Sequence, residues 1–375
     1  MANDSNMLSR SKSSKKDDKN EYYTLYEDIV AELNHYKEQF KGKRIICPCD
    51  WDESLEEICV FASEEEVNSG ALFSSGKIKT IDTSATGKIE KDLGKVRCNF
   101  VKFLISHADE WGIASISVSG YNPATGEGVR FQDVDYSKYD ICVTNPPFAF
   151  FREFINLMFK SGIKFLVVGP QNCVTYKDIF TYFMDNRMRQ GYHYHMAGFI
   201  RPDGTRVSKQ DNHARSCGWF TNMDIKYNNP RLISDIEYDE ERYPKYDNYD
   251  AIHIEKSDDI PFDYDGIMGV PITFLQKYNP NQFEILGLTQ IGCHSKVPDL
   301  KKYNSYVEVL RETDEPTGAR GGKTNENAVL QGKGKKKTYY LGPNGEIHFF
   351  RLLLLFFIIL ITCKEKVPKQ QTEQR

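Results

Sequence analysis

Four consecutive residues, Asn145-Pro146-Pro147-Phe148, combine a side-chain amide with two prolines and an aromatic ring. The side-chain oxygen of Asn145 and the carbonyl oxygen of Pro146 can accept both hydrogens of an exocyclic amine. This localises the nitrogen lone pair and stabilises the positive charge that develops on it. The prolines hold the loop extended, and Phe148 offers a ring face to a base swung out of a duplex. The motif predicts methyl transfer from a sulfonium donor to an amine or amide nitrogen, without a titrating general base.

The elements around this NPPF loop (residues 145–148) must hold it in place. The sequence predicts a strand over 139–144, a helix over 151–160, a second strand over 164–168 and a helix over 174–187. Such alternation is typical of a parallel, doubly wound α/β sheet, which binds ligands at the carboxyl ends of its strands. The alternative interpretation of the motif is a rigid surface turn. The position of the motif between a strand and a helix disfavours that alternative.

The residues before the loop show further elements of this kind. Apolar residues at helical spacing predict an amphipathic helix over 21–40, and a short apolar run that closes on an acid predicts a buried strand over 44–50. A Ser-, Gly-, Lys- and Glu-rich stretch at 62–95 indicates a loop or insertion, with 71–73 and 78–82 as a candidate hairpin. We expect a helix over 99–107 and a strand over 113–119.

The net charge of -4 excludes an overall basic field that would attract nucleic acid, so phosphate contacts must come from local basic patches. A solvated charged face is the alternative for each patch. One patch brackets a Pro-Asp-Gly turn at 202–204 and a second lies at 333–337. The candidate residues of the first are Arg187, Arg189, Arg201, Arg206, Lys209 and Arg215.

Cysteine and histidine residues give weaker signals. The nine cysteines are odd in number and scattered, which favours reduced intracellular thiols over a disulfide framework. Cys47 and Cys49 lack a second pair at zinc spacing, so we expect no metal site. His193 and His195 are candidates for a site lining or a phosphate contact, with a plain surface hairpin as the alternative. Trp51 either covers a bound adenine or belongs to the core.

The chain divides into four predicted regions: a disordered basic arm at 1–20, a catalytic domain at 21–225, a smaller irregular C-terminal region at 226–350, and an apolar run with a polar tail at 351–375. No secretory signal is expected at the start. The ten apolar residues at 352–361 are too few for a bilayer span of about 20. A core strand or helix is favoured there over a membrane anchor or a corrupted terminus. Residues 311–338 are predicted to form a loop.

Beyond the motif itself, four stretches carry a family resemblance. They are YDICVTNPPFAFFREFI at 139–155, KFLVVGPQN at 164–172, GWFTNMD at 218–224 and GVPITFLQKYNPNQFEILG at 269–287. In this order they resemble the EcoRI-type adenine-specific DNA methyltransferase family, from about residue 21 to 288. The resemblance implies a Rossmann-like fold that binds S-adenosyl-L-methionine. It also implies a double-stranded DNA substrate and a cognate restriction endonuclease.

The resemblance also implies cofactor contacts. Tyr23 and Thr24 match a segment that closes over the methionine part of the cofactor, Cys49 and Asp50 occupy the loop after the first strand, and Asp133 stands where an acid contacts the cofactor's adenine. A ribose-binding acid would be expected at 119–121, where this chain has none.

Together these features predict a cytoplasmic, site-specific DNA methyltransferase that transfers a methyl group to N6 of a flipped-out adenine, with 226–350 contributing to DNA recognition. An N-methyltransferase acting on RNA or on a protein glutamine is the alternative among enzymes, because an NPP-aromatic loop also suits those nitrogens. A catalytically inactive DNA-binding relative is the alternative outside enzymes.

Overall fold

The computed structural model describes residues 23–51, 53–62, 78–82, 93–122, 127–201, 204–208, 216–225, 231–289, 301–321, 327–331, 337–352 and 358–368. The predicted arm at 1–20 lies outside them. The chain forms two compact units. The first extends to Cys173 and also contains Met188–Ile225, and the second contains Val174–Arg187 and the residues from 226 onward.

The first unit contains most of the described helices. These are α1 (Tyr26–Leu33), α2 (Lys37–Phe40), α3 (Ser54–Ile58), α4 (Asn99–Trp111) and α5 (Phe151–Ser161). Its strands are β1 (Tyr23–Thr24), β2 (Arg44–Cys47), β3 (Lys79–Ile81), β4 (Ser115–Val118), β5 (Tyr121–Asn122), β6 (Glu127–Gly128), β7 (Ile141–Thr144), β8 (Lys164–Pro170), β9 (Arg189–Gln190), β10 (Gly198–Ile200), β11 (Arg206–Ser208) and β12 (Cys217–Thr221). Short 3₁₀ helices lie at Asn34–Tyr36, Leu93–Lys95, Phe131–Asp133, Tyr136–Lys138, Phe148–Phe150 and Gln171–Thr175.

A seven-stranded sheet in the order β3-β4-β2-β7-β8-β12-β9 organises this unit. Its four contiguous strands β4, β2, β7 and β8 are parallel, whereas β3, β12 and β9 run antiparallel to their neighbours. The sheet is therefore mixed with a parallel centre, where the sequence predicted a mostly parallel one. From β2 the chain adds β4 on one side and β7 on the other. The carboxyl ends of the four parallel strands form one edge, called here the carboxyl edge.

Burial explains why the central strands and their helices form. Every residue of β4 and β7 is buried, as in a strand covered on both faces. The apolar face of α4 is buried as well, and the helix ends at Gly112, whose φ of 61° is a left-handed cap that glycine adopts without strain. The ring of Phe40, in α2, lies 5.4 Å from that of Trp111 at a tilted angle and joins these helices to the core.

Two predictions near the start of the chain need correction. The helix predicted over 21–40 begins only at Tyr26, because residues 23 and 24 form β1, which pairs antiparallel with Ile200 and Phe199 of β10. Periodicity within one segment does not report such a distant partner. A 3₁₀ helix at Asn34–Tyr36 also divides the predicted helix into α1 and α2. In the candidate hairpin, β3 pairs with β4 instead, and residues 71–73 lie outside the described part of the chain.

The second unit consists mainly of short strands. It contains the helix α6 (Lys177–Met184) and 3₁₀ helices at Ser257–Asp259 and Ile272–Gln276. Its strands are β13 (Ala251–His253), β14 (Ile267–Pro271), β15 (Phe283–Leu288), β16 (Val307–Leu310), β17 (Pro316–Arg320), β18 (Val329–Gln331), β19 (Thr338–Leu341), β20 (Ile347–His348), β21 (Phe350–Leu352) and β22 (Ile358–Cys363). They form sheets in the orders β13-β14-β22-β15, β17-β16-β19-β20 and β18-β21.

The C-terminal apolar run supplies the central strand of one of these sheets. β22 lies between β14 and β15, and residues 358–361 are buried. The prediction of a core strand or helix is therefore confirmed for residues 358–361. The loop predicted over 311–338 is wrong in part, because β17 and β18 lie within it. β17 is a fully exposed edge strand without the apolar alternation that predicts strands. None of the helices in the described ranges is long and apolar enough to cross a bilayer.

Candidate active site

The NPPF loop lies at the carboxyl edge, directly after β7. Thr144, the last residue of β7, and Pro146 are buried, whereas Pro147 and Phe148 are exposed. Phe148 begins a 3₁₀ helix that leads into α5, and 40% of its surface is exposed. The half-buried Asn145 thus stands between a buried strand and an exposed ring. This is the placement that the sequence predicted for the loop.

A contact between α5 and β8 holds the loop in position. A Cβ atom on Gly169 of β8 would lie 2.2 Å from the ring of Phe151, the first residue of α5. Only glycine permits this approach, so the start of α5 lies directly against β8. The backbone N–H of Phe150 donates to the carbonyl oxygen of Pro147 at 2.9 Å and closes the turn after the loop.

Asp133 lies on a short segment beside α5. Phe131 in this segment is buried, and its ring lies 5.3 Å from that of Phe154 in α5. Gln132 donates to Glu153 at 3.1 Å. The Asp133 carboxylate is exposed and accepts two hydrogen bonds from Arg130, at 2.7 and 3.2 Å. The segment is therefore close to the helix that follows the NPPF loop.

The loop after β2 is tied to the end of β4. The backbone N–H groups of Asp50 and Trp51 both donate to the carbonyl oxygen of Ser119 at 3.1 Å, and the N–H of Ser119 donates to Cys47 at 3.0 Å. These bonds fix the Asp50 side chain at the carboxyl edge, where it is 8% exposed. The hydroxyl of Ser119 donates to Pro48 at 3.4 Å.

The amino end of α4 joins two of the predicted cofactor segments. Asn99 donates from its side-chain amide to the carbonyl oxygen of Thr24 at 2.8 Å. The thiol of Cys98, the residue before the helix, lies 3.5 Å from a carboxylate oxygen of Asp50. A helix amino end favours a nearby negative charge, which suits Asp50. The sequence pattern predicts a helix that begins at residue 99, but no motif marks Cys98 or Asn99 as functional residues.

These residues fit S-adenosyl-L-methionine, which carries an ammonium, a carboxylate and a sulfonium. The hydroxyl oxygen of Thr24 is buried, and no described residue shares a hydrogen bond with it. A buried hydroxyl without a partner is costly, and a polar group of the cofactor would satisfy it. The Asp50 carboxylate can pair with the ammonium or accept a hydrogen bond from a hydroxyl of the cofactor. Tyr23, beside Thr24, is half-buried.

Trp51 and the nearby cysteines belong to the packing of the unit. The Trp51 ring lies 6.0 Å from that of Phe61, and the Lys79 ammonium lies 5.1 Å from both rings. Cys49 is half-buried, whereas Cys47 is fully buried and its burial raises the pKa of its thiol. Among the described residues no three His, Cys, Asp or Glu side chains form a group suited to a metal ion.

The basic candidates for phosphate contacts have different surroundings. Arg189 donates to the carbonyl oxygen of Met223 at 3.1 Å, and Arg206 forms an ion pair with Glu27, so both serve the fold. Arg201 is exposed. Arg187, in the second unit, lies 5.2 Å from the Tyr182 ring. Lys209, Arg215 and residues 333–336 lie outside the described residues.

The NPPF loop and the buried polar groups Thr24 and Asp50 have the chemistry expected of a methyltransferase. The family described as adenine-specific methyltransferase EcoRI matches residues 7–355. The chain therefore belongs to this family, which has the S-adenosylmethionine-dependent methyltransferase fold. The predicted enzyme class, an adenine-specific DNA methyltransferase, is confirmed.

Individual relatives agree with this membership. The chain is 35% identical over 297 residues to the Type II methyltransferase M.EcoRI of Escherichia coli, which covers 75% of this chain and 88% of that protein. It is 32% identical over 312 residues to the Type II methyltransferase M.MgeORF184P of Mycoplasma genitalium, covering 79% and 90%. No solved structure matches the chain.

Proposed function

We propose that this enzyme methylates N6 of a flipped-out adenine within a specific site of double-stranded DNA. The observation that carries the proposal is the NPPF loop at the carboxyl end of β7, with Asn145 half-buried and Phe148 exposed beside it. The adenine that accepts the methyl group must have its amine held by a fixed polar group, and its ring must stack on an accessible side chain. Within one loop, Asn145 supplies the polar group and Phe148 the accessible ring.

In this mechanism the chain's own residues prepare the nitrogen for attack. The side-chain oxygen of Asn145 and the carbonyl oxygen of Pro146 accept the two N6 hydrogens. They direct the nitrogen lone pair and stabilise the positive charge that forms there. The Phe148 ring holds the extruded base by stacking. After the methyl group has been transferred, the extra proton on N6 is lost to solvent. Pro147 contributes no N–H group that would compete for these acceptors.

S-Adenosyl-L-methionine supplies an electrophilic methyl group on its sulfonium when it is bound. We assign its binding to Tyr23 and Thr24 of β1, Cys49 and Asp50 after β2, and Asp133. The buried Thr24 hydroxyl supports this assignment, as does the Asp50 carboxylate near the amino end of α4. Asp133 is paired with Arg130 and exposed, so its carboxylate would be accessible to the cofactor if that pair opened.

The strand order supports a Rossmann-like arrangement. The four parallel strands lie in the order β4-β2-β7-β8. β4 is added on one side of β2, and β7 and β8 on the other, so the strand order reverses at β2. Ligands of open α/β sheets bind where the order reverses. Asp50 follows β2 and Asn145 follows β7, so the proposed cofactor and base sites adjoin that point.

The proposed biological role is that of the modification enzyme of a restriction-modification system, acting in the cytoplasm beside a cognate endonuclease. Family membership and the relatives' description as Type II methyltransferases support this role. Within the chain, the region 226–350 is proposed to contribute to DNA recognition.

The test measures tritium transfer from labelled S-adenosyl-L-methionine to double-stranded DNA, RNA and bulk protein in parallel. The expected result is label in DNA alone, recovered as N6-methyladenine after hydrolysis. Incorporation only into RNA or protein would replace the DNA assignment with one of the other N-methyltransferase activities. Cofactor binding without incorporation into any acceptor would identify an inactive relative.

A further inference from the structure

The segment 191–197 lies beside the carboxyl edge and is held by side chains. The buried carboxylate of Glu32 accepts hydrogen bonds from the backbone N–H groups of Tyr192 and His193, both at 2.8 Å. At the other end of the segment, the Asp28 carboxylate accepts from the N–H of Ala197 at 2.8 Å. Both acids belong to α1, which therefore fixes this irregular segment at its two ends.

Gln171 holds the middle of the segment at the end of β8. Its side-chain nitrogen donates to the carbonyl oxygens of Tyr194 at 2.8 Å and Cys217 at 3.2 Å. A Cβ atom on Gly218 would lie 2.7 Å from the Tyr194 oxygen, so the bare glycine allows that carbonyl to approach. β8 is the parallel neighbour of β7, and both strands end at the carboxyl edge. Gln171 and the NPPF loop thus follow adjacent strand ends.

The third contact of the Gln171 amide is with the ring of His195. The amide nitrogen faces two carbonyl oxygens, which accept only, so this atom must be the NH₂ group. It also lies 3.3 Å from Nδ1 of His195. The two amide hydrogens serve three acceptors, so one of them is shared between a carbonyl oxygen and Nδ1. Nδ1 accepts because two facing N–H groups would repel each other, which places the imidazole hydrogen on Nε2.

The remaining surroundings leave the outer edge of this imidazole accessible. His195 is exposed, and its ring stands edge-on to that of Tyr194 with 4.6 Å between centroids. Within the described ranges, no residue forms a hydrogen bond with Nε2. The ring is thus oriented by Tyr194 and Gln171 and presents a donor to solvent at the carboxyl edge.

We propose that His195 is a DNA-binding residue that donates a hydrogen bond from Nε2 to an acceptor of the target duplex, and that Gln171 is the residue that positions it. This inference rests on the proposed function, because it takes DNA as the substrate. The acceptor is a phosphate oxygen or an acceptor atom of a base edge. Phosphate contacts position a duplex, and base contacts specify its sequence.

The test compares His195→Phe with His195→Gln. Phenylalanine keeps a ring against Tyr194 and removes the donor, whereas glutamine replaces the donor with an amide N–H. The measurement is the Kd of a fluorescent duplex that the wild-type enzyme methylates. We expect about a tenfold increase for His195→Phe, the effect of one lost hydrogen bond, and a value within about threefold of wild type for His195→Gln. The Kd of the cofactor should be unchanged.

His107→Phe is the matched control. His107 lies on α4, two turns from its amino end, and its Nδ1 is also bonded within the chain, to Phe103 at 2.9 Å. Its replacement should leave DNA binding unaffected. An unrelated duplex of equal length distinguishes the two acceptors. A parallel loss on both duplexes indicates a phosphate, and a loss confined to the methylated duplex indicates a base.

The positioning role of Gln171 is tested by a double-mutant cycle. Gln171→Ala should weaken DNA binding in the wild-type background and cause little further loss in the His195→Phe background. A wild-type Kd for His195→Phe, or equal losses in His195→Phe and His195→Gln, would overturn the proposal. If the wild-type enzyme transfers methyl groups only to RNA or protein, the proposed function is refuted, and so is the DNA-binding role of His195.

Discussion

Asn99 donates a hydrogen bond from its side-chain amide to the carbonyl oxygen of Thr24 at 2.8 Å, across 75 positions of sequence. This bond joins β1 to the amino end of α4. Cys98 at the same end contacts the Asp50 carboxylate. β1 and the loop after β2 therefore meet at the amino end of α4. The family resemblance alone connects these two segments with the cofactor.

Thr24→Val tests the cofactor assignment. Valine has nearly the shape of threonine and removes a buried hydroxyl for which no described residue is a partner. We expect the thermal midpoint of the free enzyme to stay the same or rise, because an unsatisfied polar group disappears. The Kd of S-adenosyl-L-methionine should increase by about five- to tenfold, about 1 kcal/mol for one hydrogen bond. Isothermal titration calorimetry gives the Kd.

Thr80→Val provides the control for this substitution. Thr80 is equally buried, but its hydroxyl is hydrogen-bonded to that of Ser117 at 2.8 Å. This variant should be less stable while binding the cofactor normally. The opposite pattern, a destabilised Thr24→Val enzyme with unchanged cofactor affinity, would remove Thr24 from the proposed site.

Sequence alone predicted the centre of the first unit well. The strands at 141–144 and 164–170 and the helix at 151–161 form within apolar runs of clear period, so local pattern and burial agree there. β1 was missed because two residues carry no periodic signal and their strand state depends on β10. The NPPF loop was recognisable because its chemistry is contiguous. The Asn99 and Gln171 contacts were not, because they join distant residues through single side chains.

Phe148→Ala tests the stacking role. Phe150 lies in the same 3₁₀ helix and is exposed by 50%, against 40% for Phe148, so Phe150→Ala is the matched variant. Loss of one base–aromatic stack costs about 1–3 kcal/mol. We expect kcat/KM for DNA to fall by roughly ten- to a hundredfold in Phe148→Ala and much less in Phe150→Ala. Equal losses would assign stacking to the 3₁₀ helix as a whole.

Arg44 and Asp140 provide a pH-dependent contribution to stability. Arg44 binds both carboxylate oxygens of Asp140, at 3.0 and 3.1 Å, and these hydrogen bonds lower the pKa of Asp140 below its usual value. Such a carboxylate stabilises the fold above its unfolded pKa of about 3.9, and the stabilisation is lost as the pH falls through the lower folded value. The pair is about a third exposed, so its contribution is about 1 kcal/mol at most.

Asp140→Asn should therefore lower the thermal midpoint at pH 7 and lose less stability than wild type on acidification below pH about 4. Glu110→Gln, which breaks the exposed pair with Lys37, is the control and should change the midpoint little. Melting curves parallel to wild type over this pH range in the Asp140→Asn enzyme would contradict the assignment.

Leu360→Ala tests the role of β22 as a core strand. Leu360 is fully buried between β14 and β15, so its truncation should cost about 2–5 kcal/mol of unfolding free energy. Ile347→Ala, at a position that is 55% exposed, should stay within about 0.5 kcal/mol of wild type. Denaturant titration measures both. Similar, small effects in the two variants would place the apolar run outside the core.

Turnover of Asn145→Ala shows whether the NPPF loop activates the accepting amine. Removal of one preorganised polar contact costs about 2–4 kcal/mol of barrier, so methyl transfer to DNA should fall by roughly thirty- to a thousandfold. The Kd of S-adenosyl-L-methionine should stay within about twofold of wild type, because Asn145 is not assigned to the cofactor. An Asn145→Ala enzyme that methylates DNA at the wild-type rate would show that Asn145 does not activate the amine.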